Sequence, residues 1–240
     1  CYRKQNGLPA DWITTLCQTA DGKIWAGTMN GLATLNMEKN TFETVTSQQG
    51  LPANEVTDLR EDRDGNLWVT SVGGMTKIVR GGFVRYAKED GLLAGLNAVS
   101  IFNDRQNRLI VATSQNRNLV LNLFDGQRFT PINVNSPPGT NFGWGTGQMI
   151  VNSRAGDWWI PTEEGVLYRF RNLTDVRNLA VAKPQTYSAK EGFTDKMVWR
   201  MYEDGQGSLW VATNYHDKLL RLDSGAKSLQ DIGNTLNVNS

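Results

Sequence analysis

The chain has 240 residues, with 25 Lys and Arg against 24 Asp and Glu, a single His and two Cys, for a formal net charge of +1. Balanced charge leaves no basic footprint for neutralising phosphates, so a nucleic-acid partner is not expected. One His and two Cys exclude a His-rich or Cys₄ metal centre, and no apolar run approaches the roughly 18 residues a membrane-spanning helix needs.

From residue 7 onward the chain repeats itself. Gly7-Leu8-Pro9 returns 43 residues later as Gly50-Leu51-Pro52, and Asp21-Gly22-Lys23-Ile24-Trp25 as Asp64-Gly65-Asn66-Leu67-Trp68. The same frame recurs with decay at 104–113, 153–162 and 204–213, where Ile110, Trp159 and Trp210 hold the Trp place. Three residues beyond come Thr28, Ser71, Thr113, Thr162 and Thr213, a small hydroxyl side chain at one register in five units.

Within the second unit, Val56 to Arg60 alternates as a strand and Asp64-Gly65 supplies a hairpin turn tolerant of positive φ. Leu67 to Thr70 is a second strand, Gly73-Gly74 leads into Met75 to Val79, and Gly81-Gly82 into Phe83 to Tyr86. No segment holds a capped 3.6-residue apolar period, so helix is nearly absent. Units of roughly 40–50 residues with four strands each predict an all-β fold, a β-propeller of four-stranded blades. Five repeats are expected, at 7–49, 50–90, 91–138, 139–191 and 192–240. Tyr2 stands five residues before Gly7, as Val45 does before Gly50, so residues 1–6 read as the end of a preceding blade's last strand. That phase predicts a portion of a larger ring, with a self-contained five-blade ring as the second choice. The repeated Trp is expected to pack between neighbouring blades rather than to stack on a ligand, because an inter-blade filler recurs once per blade.

Gly50-Leu51-Pro52-Ala53-Asn54-Glu55-Val56 through Asp62 to Thr70 resembles the two-component regulator propeller repeat. The first unit matches from Gly7-Leu8-Pro9 to Gly31-Leu32, and the fifth matches from Glu203-Asp204 to Thr213. The third and fourth units are degenerate. The resemblance implies the extracytoplasmic input region of a membrane-bound sensor, often of a histidine kinase or hybrid regulator, with some members sensing oligosaccharides. It implies a propeller of seven blades, with further blades and a membrane-linked output module in the intact protein.

Positions that break the repeat are where a ligand is expected. They lie in the loops entering each first strand, in the links between second and third strands, and in the expanded loop from Pro137 to Gly147. An aromatic ring beside amides and a guanidinium suits a polyhydroxylated ligand, which picks out Trp144, Tyr215, Arg117 and Asn116. Asn54 and His216 complete the expected ligand-binding set. A small molecule, with carbohydrate the favoured class, is the expected partner. No catalytic residue, metal or cofactor is assigned. Cys17 reads as a small buried residue, and its pairing with Cys1 stays open. The insertion from Arg171 to Lys183 reads as a loop or short extra element and a candidate subunit contact for a homodimer.

The expected function is therefore a non-catalytic binding module, periplasmic or otherwise extracytoplasmic. Two other classes stand beside it. The repeats are also similar to those of streptogramin-inactivating propeller lyases, a resemblance that implies a His and acidic residues with a divalent metal. His216 meeting a carboxylate would favour that reading. A platform for a protein partner is the third.

Overall fold

The computed structural model describes residues 1–79, 81–92, 97–115, 118–142, 149–214 and 216–233. These residues form five antiparallel four-stranded sheets, the blades of an all-β propeller, each in simple sequential strand order. Blade 1 holds β1 (Ile13–Gln18), β2 (Ile24–Thr28), β3 (Gly31–Asn36) and β4 (Thr41–Val45). Blade 2 holds β5 (Val56–Glu61), β6 (Leu67–Ser71), β7 (Gly74–Val79) and β8 (Gly82–Tyr86). Blade 3 holds β9 (Asn97–Asn103), β10 (Leu109–Gln115), β11 (Asn118–Phe124) and β12 (Phe129–Asn133). Blade 4 holds β13 (Val151–Asn152), β14 (Trp158–Pro161), β15 (Leu167–Phe170) and β16 (Gln185–Tyr187). Blade 5 holds β17 (Val198–Glu203), β18 (Leu209–Thr213), β19 (Leu219–Leu222) and β20 (Gln230–Asp231). Two compact units result: one contains blades 1 and 2 with most of blade 3, the other contains blades 4 and 5.

In four of the five repeats a lead glycine, followed by Leu or Phe, ends a single 3₁₀ turn. Lys4–Asn6, Ser47–Gln49, Lys88–Asp90 and Ala189–Glu191 are such turns, closed by Gly7, Gly50, Gly91 and Gly192. All four glycines have positive φ, between 82° and 120°, a conformation other residues adopt only at a cost. Two of them carry a second constraint. A Cβ on Gly91 would strike the carbonyl oxygen of Phe129, and one on Gly192 that of Leu229. The following Leu8, Leu51, Leu92 and Phe193 are buried, so this lead pins blades 1, 2, 3 and 5 each to its own outer strand.

The first hairpin of every blade has a positive-φ residue three before the Trp place: Gly22, Gly65, Asn107, Gly156 and Gly207. Asn107 explains how blade 3 manages without Gly, because its short polar side chain tolerates the left-handed region. Tyr2 pairs with no strand. Its hydroxyl donates to Asn40 at 2.6 Å and its ring meets Phe42 edge-on. The expected insertion in the fourth repeat holds a short element, a 3₁₀ helix at Val176–Ala180 capped by the Asp175 side chain. Val176 and Leu179 are buried there, while Val181 is exposed. Cys1 and Cys17 are unpaired, and burial pushes the half-buried Cys17 thiol up.

The core lies between blades. Trp25 packs beside Leu32, Leu51, Val56, Leu59 and Val69, residues of blades 1 and 2 together with the lead. Trp68 packs with Ile101, Val111 and Phe129 of blade 3. Trp159 joins Val198, Met201 and Val211 of blade 5. The repeated Trp is thus an inter-blade filler at these three places. Asp58 knits the innermost strands of the first unit. Its buried carboxylate accepts from the Thr15 and Ser100 hydroxyls and from the backbone N–H groups of Leu59 and Ile101.

Candidate functional site

The repeated hydroxyl has a local role. Thr28 donates to the carbonyl of Gly31 at 2.8 Å, Ser71 to that of Gly74 at 3.3 Å, and Thr162 to that of Val166 at 2.8 Å. Each clasps the hairpin between second and third strands, and each is almost fully buried. A short side-chain hydroxyl serves because it reaches its own turn without filling the core.

Blade 5 departs from this plan. Its link from Asn214 to Asp217 has four residues, where blades 1 and 2 use two, and Asp217 takes a φ of 51°. The Thr213 hydroxyl stays within 3.4 Å of the Lys218 carbonyl and accepts from the Lys218 backbone N–H at 3.1 Å, but its shortest bond goes to Oδ2 of Asp195, at 2.6 Å. Asp195 falls three residues past the lead glycine, where blades 1 and 2 carry Ala10 and Ala53. Its side chain is 0% exposed. Oδ1 accepts from the Lys196 backbone N–H at 2.7 Å, and Oδ2 from that of His216 at 3.1 Å. The His216 ring completes the cluster, with Nδ1 3.2 Å from Oδ1.

Burial alone would raise the pKa of Asp195. The bonds from Thr213, Lys196 and His216 outweigh it and hold the carboxyl below the usual range. An ionised carboxylate only accepts, so the proton of the His216 contact sits on Nδ1. Asp195 therefore anchors the link through the backbone amide and imidazole of His216 and the hydroxyl of Thr213, with the Lys196 amide bracing the carboxylate from its own loop, while the His216 side chain stays 54% exposed. Such an arrangement can orient an imidazole for hydrogen bonding to a ligand or for proton transfer. Among the described residues, no group of three His, Cys, Asp or Glu side chains gathers in a metal-binding arrangement.

The six residues expected to bind ligand fare unequally. Trp144, Tyr215, Arg117 and Asn116 lie outside the described residues. Asn54 is a brace. Its side-chain oxygen accepts from the Ser47 backbone N–H at 2.8 Å, and its amide donates to Asn30 at 3.4 Å. Asp11 does the same for Lys4 in blade 1, at 2.8 Å, so both cap the 3₁₀ turn of their lead. Elsewhere in the second unit, Glu164 accepts from both the backbone and side-chain amides of Asn141. Asp195 was the residue that sequence reasoning missed. An Asp standing where two other repeats have Ala is the signal that could have found it.

A second recurring cluster was also hidden in the sequence. The indole N–H of Trp68 donates to Oδ2 of Asp62 at 2.9 Å, and that of Trp210 to Oδ2 of Asp204 at 2.8 Å. A cation from the third strand lies over each ring, directly across the ladder: Lys77 over Trp68 and Arg221 over Trp210, both 5.1 Å from the centroid. Arg169 sits over Trp159 likewise at 5.0 Å.

Three segments, residues 7–30, 50–73 and 192–215, match the family model for the two component regulator propeller. Those three segments are two-component regulator propeller repeats. In these repeats the lead glycine, the hairpin turn and the Trp place fall at the positions described above. No curated protein sequence matches the chain significantly. Solved structures do. The extracellular domain of the hybrid two-component system BT3049 from B. thetaiotaomicron superposes with a TM-score of 0.69 at 18% identity, covering 93% of this chain and 28% of that one. The corresponding domain of BT4673 from the same organism gives 0.63 at 16%, covering 84% and 26%. The chain thus spans about a quarter of the length of these two. A catalytically inactive histidine-to-alanine variant of virginiamycin B lyase from Staphylococcus aureus, with quinupristin, gives 0.68 at 16%, covering 93% and 71%. At such identities these likenesses show the fold. Among the described residues, no helix is long and apolar enough to cross a membrane.

Proposed function

We propose that this chain is a non-catalytic, ligand-sensing propeller, part of the extracytoplasmic input region of a membrane-bound two-component regulator. Its repeats support the reading, as does its likeness to extracellular domains of hybrid two-component systems. The observation that carries it is the departure of blade 5 from the repeat. A buried carboxylate has replaced Ala to hold one lengthened link, and the link presents a half-exposed imidazole. A scaffold that merely stacks blades has no need of this, because the hydroxyl clasp of blades 1, 2 and 4 closes the same hairpin unaided. The favoured ligand is a small polar molecule such as an oligosaccharide, contacted by His216 together with Trp144, Tyr215, Arg117 and Asn116.

The test is a thermal-shift screen of sugars and small acids on the full extracytoplasmic region. A ligand bound at 100 times its Kd stabilises by about 2.7 kcal/mol, a shift easily read. Trp144→Ala, Tyr215→Ala and His216→Ala should each reduce it. A shift that survives all three undiminished overturns the site.

One observation favours a second reading. His216 Nδ1 lies on the Asp195 carboxylate, the pairing that orients a general base, and the lyase superposes as well as the sensor domains do. Conversion of quinupristin by the wild-type chain, lost in His216→Ala, would establish an elimination catalyst and displace the sensing proposal. No turnover with or without divalent metal would retire it.

A further inference from the structure

A groove of about 750 Å³ opens between blades 1 and 2, beside their first hairpins, and neither Asp195 nor His216 lines it. Trp25 forms one wall. Asp21, Lys23, Glu61, Asp64 and Asn66 supply the polar surface, and Leu67 and Ile78 contribute apolar surface. Three carboxylates therefore face one ammonium group, and that Lys23 ammonium is already paired with Asp21 at 2.9 Å.

The other repeats show what the face of this Trp usually meets. Trp68, Trp159 and Trp210 each carry a cation from the cross-strand residue of the third strand: Lys77, Arg169 and Arg221. In each case a carboxylate binds that cation. Lys77 pairs with Asp62 at 3.0 Å, Arg169 with Asp157 at 2.6 Å and Arg221 with Asp223 at 2.7 Å. Blade 1 breaks the rule. The cross-strand partner of Trp25 is Thr34, which donates to the Ile24 carbonyl and brings no charge. The Asp that holds the indole N–H in blades 2 and 5 is replaced by Thr19, whose hydroxyl turns to Asp21 at 2.6 Å. Trp25 is consequently the half-buried Trp of the repeat with neither cation nor carboxylate partner among the described residues, and it faces the groove.

We propose that this groove binds a small organic cation, an ammonium or guanidinium group seated on the Trp25 ring with Asp21, Asp64 and Glu61 around it. The ligand takes the place that Lys77, Arg169 and Arg221 fill in their own blades. The physics is the same in both cases. The ring's negative face attracts a cation, and nearby carboxylates offset its lost hydration. Because Asp21 and Asp64 are exposed, affinity falls as salt is added.

The experiment titrates the chain with agmatine as probe, following the indole N–H resonance of Trp25, with 1-pentanol as a neutral comparison. Saturable displacement of that resonance by agmatine, absent with pentanol, is expected. Thr34→Lys is the decisive variant, since it installs the cation of the sister blades on an unchanged backbone and should weaken agmatine at least tenfold. Asp21→Asn with Asp64→Asn should weaken it several-fold while leaving the folded spectrum intact. Equal displacement by agmatine and pentanol, or undiminished binding in Thr34→Lys, would overturn the proposal. If Thr34→Lys is poorly folded, Trp25→Leu answers the same question by calorimetry, where retained agmatine heat sinks it.

Discussion

Trp68 and Asp62 stand six residues apart, and the indole N–H of the first donates to Oδ2 of the second at 2.9 Å. The other carboxylate oxygen closes the hairpin by accepting from the backbone N–H groups of Asp64 and Asn66. One side chain thus fixes both a turn and the inter-blade Trp. Asp204 repeats the arrangement, taking the Trp210 indole on Oδ2 and the Gln206 and Ser208 amides on Oδ1.

Removing Asp62 should therefore cost more than an ordinary surface change. Asp62→Ala strands the indole N–H of a Trp that is 1% exposed and frees Lys77. A buried donor left unpaired costs about 1–3 kcal/mol. We expect a lowered urea midpoint of that size. Asp62→Asn, which keeps acceptor oxygens, should lose less.

The lead glycines differ in kind from the exposed turn glycines. Gly91 has φ 94° and its added Cβ would strike the Phe129 carbonyl oxygen, whereas Gly126, at φ 107°, has open space around it. A left-handed conformation costs a non-Gly residue about 1–2 kcal/mol. Gly126→Ala should show that amount alone. Gly91→Ala must also displace the outer strand of blade 3, so its denaturation midpoint should fall clearly further. Equal losses would refute the role assigned to the close approach.

Asp195 predicts an acid-sensitive link. Burial would raise its pKa, but the bonds from Thr213, Lys196 and His216 lower it below the ordinary value of 3.8. An acid with a depressed folded pKa contributes stability above its unfolded pKa and loses it as pH falls through the folded pKa. Amide exchange at Lys196 and His216 should therefore be protected near neutrality and should loosen once pH drops below about 4. In Asp195→Asn that acid step should be missing.

The same pair separates structure from function. His216 is half exposed, so His216→Ala should leave the melting temperature nearly unchanged, within about 0.5 kcal/mol, as for most surface changes. Asp195→Ala takes the acceptor from two backbone amides and the nearer acceptor from the buried Thr213 hydroxyl, and should destabilise by roughly 1–3 kcal/mol. Ligand-induced stabilisation should fall in both variants. If His216→Ala is as destabilising as Asp195→Ala, the imidazole is only a piece of the clasp.

The sequence by itself determined the blades. Alternation along β5 to β8, the positive-φ residue three before each Trp place and the small hydroxyl three after it are all written within a single hairpin. Their physical causes, the period of two in a strand and the steric demand of a tight turn, act over a few residues and are therefore visible in a string of letters. Even the inter-blade role of Trp68 and Trp159 could be read, because a packing residue must recur with the unit it packs. What only the tertiary structure decided was the partner of each side chain. Asn54 reads as a loop amide free for a ligand, yet it spends its oxygen on the Ser47 amide. His216 reads as a loop residue in the expected ligand-binding set, and only the fold rests it on Asp195, 21 residues earlier. Trp25 and Trp68 look identical in the repeat, and only the cross-strand register shows that Lys77 covers one and Thr34 leaves the other open. These distinctions rest on distances between loops and strands far apart in sequence, where no local period carries the information. Folding had to bring the groups together before their chemistry could be told apart.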